Sequence, residues 1–62
     1  MKLQITIEMD NAAFEDEPGL EAGRIIENNL DWIRGVTENC VGMTHRLSDV
    51  NGNKVGYVRV TE

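Results

Sequence analysis

The sequence contains few of the residues that mark several protein classes. Among its 62 residues are one cysteine, one proline and three aromatic residues. The single cysteine, Cys40, cannot form an internal disulfide, which argues against a small disulfide-stapled extracellular protein. No stretch approaches the roughly 20 apolar residues of a membrane-spanning helix, and Met1 and Lys2 lead into a strand pattern rather than a signal peptide. We therefore expect a cytoplasmic protein that does not bind membranes.

Motifs for catalysis, metal binding and phosphate binding are also missing. No glycine-rich phosphate loop is present. Cys40 and His45 alone cannot make a zinc site, which takes four protein ligands, or three and a water. The segment from Asp49 to Asn53 resembles the start of a calcium loop, but Val58 stands where the bidentate glutamate belongs. No motif places a nucleophile beside His45, so we expect a structural histidine, no enzyme, no cofactor and no metal.

Basic residues are scarce, with six against eleven acidic residues and a net charge of −5 at pH 7. This balance argues against a surface built mainly to bind phosphate and favours a basic partner. Six of the acids form an acidic segment between positions 8 and 21: Glu8, Asp10, Glu15, Asp16, Glu17 and Glu21. One interpretation is a solvated loop whose last charges favour a helix start. The other interpretation is a negative patch that binds a basic partner.

Hydrophobic periodicity predicts the first half of the fold. Residues 2–9 alternate between polar and apolar side chains, which predicts a strand whose buried face carries Leu3, Ile5, Ile7 and Met9. Asp10 and Asn11 predict a short turn through residues 12–14, with Phe14 at the end of the core. A helix is predicted from Pro18 to Arg34, because proline suits a first helical turn and Gly35 a helix end. Its apolar stripe is formed by Ala22, Ile25, Ile26, Asn29, Ile33 and Val36.

A hairpin is predicted over 42–49 and 54–61, with a tight turn centred on Asn51 and Gly52. Asn-Gly between alternating segments is a strong hairpin signal because both residues tolerate positive φ. The register follows from this centre, with Ser48 opposite Val55, Leu47 opposite Gly56, Arg46 opposite Tyr57 and His45 opposite Val58. The core face then carries Met43, His45, Leu47, Gly56, Val58 and Val60. The other face carries Thr44, Arg46, Ser48, Val55, Tyr57 and Arg59.

The predicted fold is α+β, a single small domain over 1–62 in the order β-α-β-β. One helix packs on one face of a three-stranded, mainly antiparallel sheet, and the C-terminal strand lies in the middle. Asn29 lies within the apolar stripe, so we expect a buried amide bonded to a neighbour. The predicted core consists of Leu3, Ile5, Ile7, Ile26, Ile33, Leu47 and Val58.

The sheet face away from the helix is expected to be open to water or a partner. Arg46, Tyr57 and Arg59 lie together on this face in the predicted register. An aromatic side chain between arginines on a sheet is how several small RNA-binding folds stack bases. The negative net charge opposes nucleic-acid binding, so this interpretation ranks last. The same face would also serve a homodimer.

Three segments resemble a group of short phage and prophage proteins: Ile5 to Glu8, Asp10 to Asp16 and Leu47 to Gly56. Their shared pattern reads I-x-I-E, D-N-A-A-F-E-D, a helix, then L-x-D-x-N-G-N-x-V-G. The resemblance implies a phage or prophage origin rather than an activity. Small acidic phage proteins often occupy the nucleic-acid-binding surface of a host protein, as some anti-CRISPR and other anti-defence proteins do, and this step is an analogy of class.

The functional hypothesis is therefore a small acidic non-enzymatic binding protein that acts on a host protein in the host cytoplasm. Its contact surface is the acidic segment. The first alternative is a phage accessory or structural module, or a homodimer, that uses the sheet face around Arg46, Tyr57 and Arg59. The second alternative is a small nucleic-acid-binding protein.

Overall fold

The computed structural model describes residues 1–62 and has one sheet with helices on one side. The strands β1 (Lys2–Ile7), β2 (Thr44–Ser48) and β3 (Lys54–Thr61) are antiparallel and lie in the order β1-β3-β2. The helices α1 (Pro18–Asn28) and α2 (Leu30–Arg34) connect β1 to β2, together with short 3-10 helices at Ala12–Phe14 and Glu38–Cys40. The predicted fold class and strand order are confirmed. None of the helices has the length and apolar character that crossing a membrane requires.

The helix predicted over Pro18–Arg34 is broken at Asn29, between α1 and α2. The side-chain amide of Asn29 donates a 2.7 Å hydrogen bond to the carbonyl of Ile25, the acceptor that its own backbone N–H would use in a regular helix. That N–H donates to the carbonyl of Ile26 instead, which tightens the turn. The expected bond from the Asn29 amide to a neighbour is therefore confirmed, and the uninterrupted helix is wrong.

The hairpin turn differs from the predicted Asn51-Gly52 centre. The N–H of Gly52 donates to the carbonyl of Asp49, so Val50 and Asn51 form the centre and Gly52 follows with a φ of 83°. This loop is one residue longer than the predicted one and shifts the pairing, because Ser48 now opposes Lys54. A bulge between Leu47 and Ser48, with Val55 as the extra residue of β3, removes the shift. Leu47, Arg46 and His45 therefore oppose Gly56, Tyr57 and Val58 as predicted.

The bulge changes the side of the sheet on which Val55 lies. Strict alternation predicts Val55 on the open face, opposite Ser48. In the structure Val55 is buried and packs in the core with Leu47 and Val58. The prediction for Val55 is wrong because a bulged residue interrupts the alternation of side chains along a strand. Its neighbour Gly56 lies so close to β1 that a Cβ would collide with the backbone carbonyl of Thr6.

The core occupies the space between α1, β2 and β3 rather than the whole sheet. Its cluster consists of Phe14, Ile25, Leu47, Val55 and Val58, and Val60 is buried as well. The expected positions of Phe14, Leu47 and Val58 are confirmed. Leu3 and Ile5 belong to the predicted core, yet they are 44% and 39% exposed, because no helix covers that end of β1. Ile7, Ile26 and Ile33 are half-buried.

The two adjacent isoleucines of α1 provide a stability test of this packing. Ile25 is buried in the core cluster, whereas Ile26 is half-buried. We expect Ile25→Val to lower the free energy of unfolding by about 0.5–1.5 kcal/mol, and Ile26→Val to lower it by clearly less. Urea denaturation followed by circular dichroism measures both values. A larger loss for Ile26→Val would mean that another face of α1 is docked on the sheet.

Candidate functional site

Glu21, the last residue of the acidic segment, serves the fold. Its carboxylate accepts two hydrogen bonds of 2.8 and 2.9 Å from Arg24 and a third of 3.0 Å from the N–H of Val50. The bond from Arg24 is the main reason that the pKa of Glu21 is lowered, against the opposing effect of burial. Glu21 therefore ties the first turns of α1 to the tip of the hairpin, and its charge is already compensated.

The other five acids of the segment are exposed and fall into separate places. Asp16 and Glu17 line an open groove of about 630 Å³ on α1, whereas Glu8 and Asp10 line a second groove of about 410 Å³ beside Lys54 and Tyr57. Glu15 lines neither groove. The structure therefore divides the predicted patch in two. The first cavity, called the α1 groove below, is lined by Ala13, Asp16, Glu17, Gly19, Leu20, Glu21, Gly23, Arg24 and Glu27.

The α1 groove combines acidic side chains with an exposed apolar one. Leu20 is 69% exposed, and an added Cβ at Gly19 or Gly23 would meet nothing within 4 Å. Asp16, Glu17 and Glu27 form no ion pair, and the side chain of Glu17 does not cap the helix although it stands at the N-cap position. A lysine or arginine suits such a groove, because its aliphatic stem can cover Leu20 while its charge meets the carboxylates.

The open sheet face, opposite the helices, carries the second set of predicted site residues. Arg46 opposes Tyr57, and the guanidinium carbon of Arg59 lies 4.7 Å from the centre of the Tyr57 ring. Arg46 turns towards the hairpin, where it donates to the Ser48 hydroxyl and the Gly52 carbonyl at 3.1 Å each. The three residues thus share a face, as predicted, but only Tyr57 and Arg59 are stacked.

Charges are segregated between the two sides of the molecule. The pairing register places on the open sheet face four of the six basic residues and no acidic residue within the strands. These basic residues are Lys2, Arg46, Lys54 and Arg59. The other two, Arg24 and Arg34, lie on the helices and are paired with Glu21 at 2.8 Å and Asp31 at 4.0 Å. Of the acids without an ion partner, Glu15, Asp16, Glu17 and Glu27 lie on α1 or in the loop before it, whereas Glu8 and Asp10 lie near Lys54 and Tyr57.

Asp49 is the centre of a buried hydrogen-bond network. The sequence indicates only a turn or a weak calcium motif at this position. Asp49 is 5% exposed, and its carboxylate accepts hydrogen bonds from the N–H groups of Asn51 and Asn53, both at 2.9 Å. The side-chain amides of Asn11 and Asn53 donate to its other oxygen at 2.7 and 3.4 Å. Both carboxylate oxygens therefore accept hydrogen bonds from protein N–H groups, as in the turns that aspartate favours.

The electrostatics of Asp49 follow from the same contacts. Burial by itself raises the pKa of this carboxyl, but the hydrogen bonds from Asn53, Asn11 and Asn51 outweigh burial. The pKa of Asp49 therefore lies below its ordinary value of 3.8. A sequence signal for this centre does exist, since an aspartate followed by Asn-Gly-Asn is typical of a side chain that bonds to its own turn.

His45 is held as a structural residue. Its ring stacks on Trp32, with centres 4.5 Å apart and planes 13° apart. Its Nε2 lies 2.8 Å from the Oδ1 of Asn29, and because the amide nitrogen of Asn29 donates to Ile25, this oxygen accepts and Nε2 carries the proton. The structure thus agrees with a structural histidine. Through its contacts with Asn29 and Trp32, His45 links the break between α1 and α2 to β2.

The hydrogen bonds of Asp49 lead to a prediction about how stability depends on pH. Because the pKa of Asp49 is lower in the folded chain, its stabilising effect is complete above the unfolded pKa and is lost as the pH falls through the folded pKa. We expect Asp49→Asn to lower the Tm at neutral pH, since the new amide would turn a donor towards Asn11 or Asn53. The difference in Tm from the parent should shrink below about pH 3.8.

Thermal unfolding at a series of pH values measures this difference, and Asp31→Asn serves as the control. Asp31 is fully exposed and lies 4.0 Å from Arg34 at its closest. The control variant should have nearly the same Tm as the parent at every pH. A Tm difference for Asp49→Asn that stays constant down to acidic pH would contradict the proposed role of the carboxylate.

Comparison of the chain with protein-family models, with curated proteins and with solved structures gave no match. The similarity to short phage and prophage proteins therefore stays a prediction from the sequence segments that carry it.

Proposed function

We propose that this chain is a small non-enzymatic protein that binds a basic surface of another protein through the α1 groove and the adjacent Glu15. The observation that carries the proposal is the set of acids with no partner beside an exposed leucine. Glu15, Asp16, Glu17 and Glu27 form no ion pair. Repulsion between crowded like charges opposes folding slightly, and nothing in the fold compensates these four charges. A basic partner would compensate them.

The division of the acidic segment narrows the proposed contact surface. Glu21 is compensated by Arg24 and Val50, and Glu8 and Asp10 lie in a different groove near Lys54. The contact is therefore assigned to residues 15–17, Leu20 and Glu27 rather than to the whole segment. Charge on such a rim acts mainly on the association rate, whereas Leu20 adds apolar contact that salt does not screen.

The identity of the partner follows from the predicted origin of the chain. If the resemblance to phage proteins reflects descent, the partner is a host protein, and a surface that binds nucleic acid offers the required positive charge. The acidic side of this chain would then occupy the place of phosphates. The role proposed is that of an inhibitor by occupation, with no chemical step.

A charge-neutralising variant tests the proposal. The variant replaces Glu15, Asp16 and Glu17 by Gln, Asn and Gln, and the matched control changes Asp31, Glu38 and Glu62 to the corresponding amides. Affinity capture from a bacterial host lysate with the parent chain identifies the partner, and titrations with the purified partner follow at low and high salt. We expect the groove variant to bind about tenfold more weakly at low salt, through slower association, and the loss to narrow as salt screens the charges.

The control variant should bind like the parent at each salt concentration. Leu20→Ser should weaken binding at all salt concentrations, because it removes apolar contact rather than charge. Equal affinity of the parent and the groove variant across salt concentrations would refute the α1 groove as the contact surface. The open sheet face would then be the better candidate.

A second candidate function uses the open sheet face. The observation that favours it is the set of four basic residues on that face, with no acid within the strands and with Tyr57 stacked on Arg59. Single-stranded nucleic acid binds to such faces through phosphate contacts and base stacking. This alternative predicts that labelled single-stranded RNA gains fluorescence anisotropy at low salt, and that Arg46→Gln with Arg59→Gln abolishes the gain. No gain for the parent at low salt would refute the alternative.

A further inference from the structure

The strand β1 is one of the two edge strands of the sheet. Only β3 pairs with it. From Leu3 to Ile7 the strand contains no proline, bulge or charged residue that would discourage a further strand, and its single charge, Lys2, is at its first residue. The opposite edge, β2, is one residue shorter, carries Arg46 in its centre and ends at the bulge. The two edges of this sheet are therefore not equivalent, and β1 is the one open to pairing.

The backbone groups on the free edge of β1 can be assigned from the pairing with β3. The N–H of Glu8 donates to the carbonyl of Val55 at 2.7 Å, so Glu8 and Val55 form a hydrogen-bonded pair. Hydrogen-bonded and non-bonded pairs alternate along an antiparallel ladder. Even-numbered residues of β1 therefore bond to β3. Leu3, Ile5 and Ile7 direct their N–H and C=O groups to the free edge.

Exposed apolar side chains are concentrated along the same edge. Seven large apolar side chains of the chain are exposed, and four of them lie within the first nine residues: Met1, Leu3, Ile5 and Met9. Leu3 and Ile5 have odd numbers, so they lie on the side of the sheet that carries the helices, and Met1 and Met9 flank the strand at its two ends. The other three, Leu20, Met43 and Val50, are far apart in the sequence.

From these observations we infer that the chain forms a homodimer in which β1 pairs antiparallel with β1 of a second copy about a two-fold axis at Ile5. Opposite residues then have numbers that add up to ten, so Leu3 faces Ile7 of the second copy and Gln4 faces Thr6. Lys2 faces Glu8 of the second copy, which places opposite charges together at both ends. Met1 and Met9 face each other beyond them. The result is a continuous six-stranded sheet.

This register is the one that the edge favours. In this register the free backbone N–H and C=O groups of Leu3, Ile5 and Ile7 face those of the second copy. About six hydrogen bonds form between them. A shift by one residue would set these groups against backbone already bonded to β3, and it would place apolar side chains opposite polar ones. A shift by two residues in one direction sets Lys2 opposite Thr6 and loses the pairs of opposite charge. In the other direction it sets Lys2 opposite Asp10, three residues beyond the end of β1.

The dimer is a different surface from the open-face homodimer that the sequence suggests, and it does not depend on the proposed function. No residue that lines the α1 groove belongs to β1. A dimer would carry two α1 grooves. A failure to dimerise would therefore leave the binding proposal intact, and a failure of the α1 groove to bind a partner would leave the dimer intact. A contact of one strand pair is small, and we expect a Kd of about 1–100 µM.

Sedimentation across a range of concentrations, together with hydrogen exchange of the β1 amides, tests the dimer. The parent should reach twice the mass of one chain as concentration rises, with slower exchange at Leu3, Ile5 and Ile7. Ile5→Lys places two lysines opposite each other on the axis and should give a monomer whose circular dichroism matches the parent, because Ile5 is already 39% exposed. A parent that stays monomeric up to about 1 mM, or an Ile5→Lys variant that still dimerises, overturns the inference.

Exchanging the charges of Lys2 and Glu8 tests the register. This test remains informative even if the Ile5→Lys variant does not fold. Lys2→Glu and Glu8→Lys each replace the two symmetric attractions by like-charge pairs and should weaken dimerisation about tenfold. The double variant restores opposite charges and should regain the affinity of the parent. Asp31→Lys, which makes the same charge change at a fully exposed position on α2, should leave dimerisation unchanged. No recovery in the double variant would refute this register.

Discussion

The buried carboxylate of Asp49 is the interaction on which the arrangement of the other elements depends. It joins the hairpin turn, through Asn51 and Asn53, to the loop after β1, through Asn11. The next residue, Val50, donates its N–H to Glu21 at the start of α1. Three parts of the chain that are far apart in sequence thus meet at one point. These hydrogen bonds favour the charged form of the carboxylate, because all of them come from donors.

The same framework accounts for most of the residues that carry the resemblance to phage proteins. Asn11 caps the first 3-10 helix and bonds to Asp49, and Phe14 and Leu47 are buried in the core. Gly52 adopts a positive φ, and Gly56 lies where β1 and β3 approach too closely for a side chain. The resembling segments therefore contain mainly the residues that build the hairpin and its contact with β1. Asp10, Glu15 and Asp16 are exposed members whose side chains form no ion pair.

Charge segregation links the two proposed modes of binding. Four acids without partners, Glu15, Asp16, Glu17 and Glu27, lie on α1 or in its preceding loop, and four basic residues without ion partners lie on the open sheet face. Glu8 and Asp10 lie in the groove beside Lys54. The chain has a net charge of −5, yet most of its basic residues are collected on one face of the sheet. The β1 edge lies between these two sides and is mostly uncharged. Each surface therefore suits a different class of partner, and each can be altered without the others.

The sequence by itself determined the elements and most of the pairing. Alternation placed β1 and β3, Pro18 marked the helix start, and the pairing of His45, Arg46 and Leu47 with β3 came out as predicted. Periodicity succeeds here because it reports which side of each element is apolar. The six acidic residues and the Arg46, Tyr57 and Arg59 group could also be selected from the sequence, although their roles could not.

Only the tertiary structure decided what covers each face and which polar groups meet. It left Leu3 and Ile5 without a helix above them, turned Val55 inwards at a bulge, and divided the acidic segment between two grooves. The break at Asn29 and the role of Asp49 depend on hydrogen bonds from side chains to His45 and Asn11, which are distant in sequence. Local patterns do not contain these contacts, because they arise only when separate elements pack together.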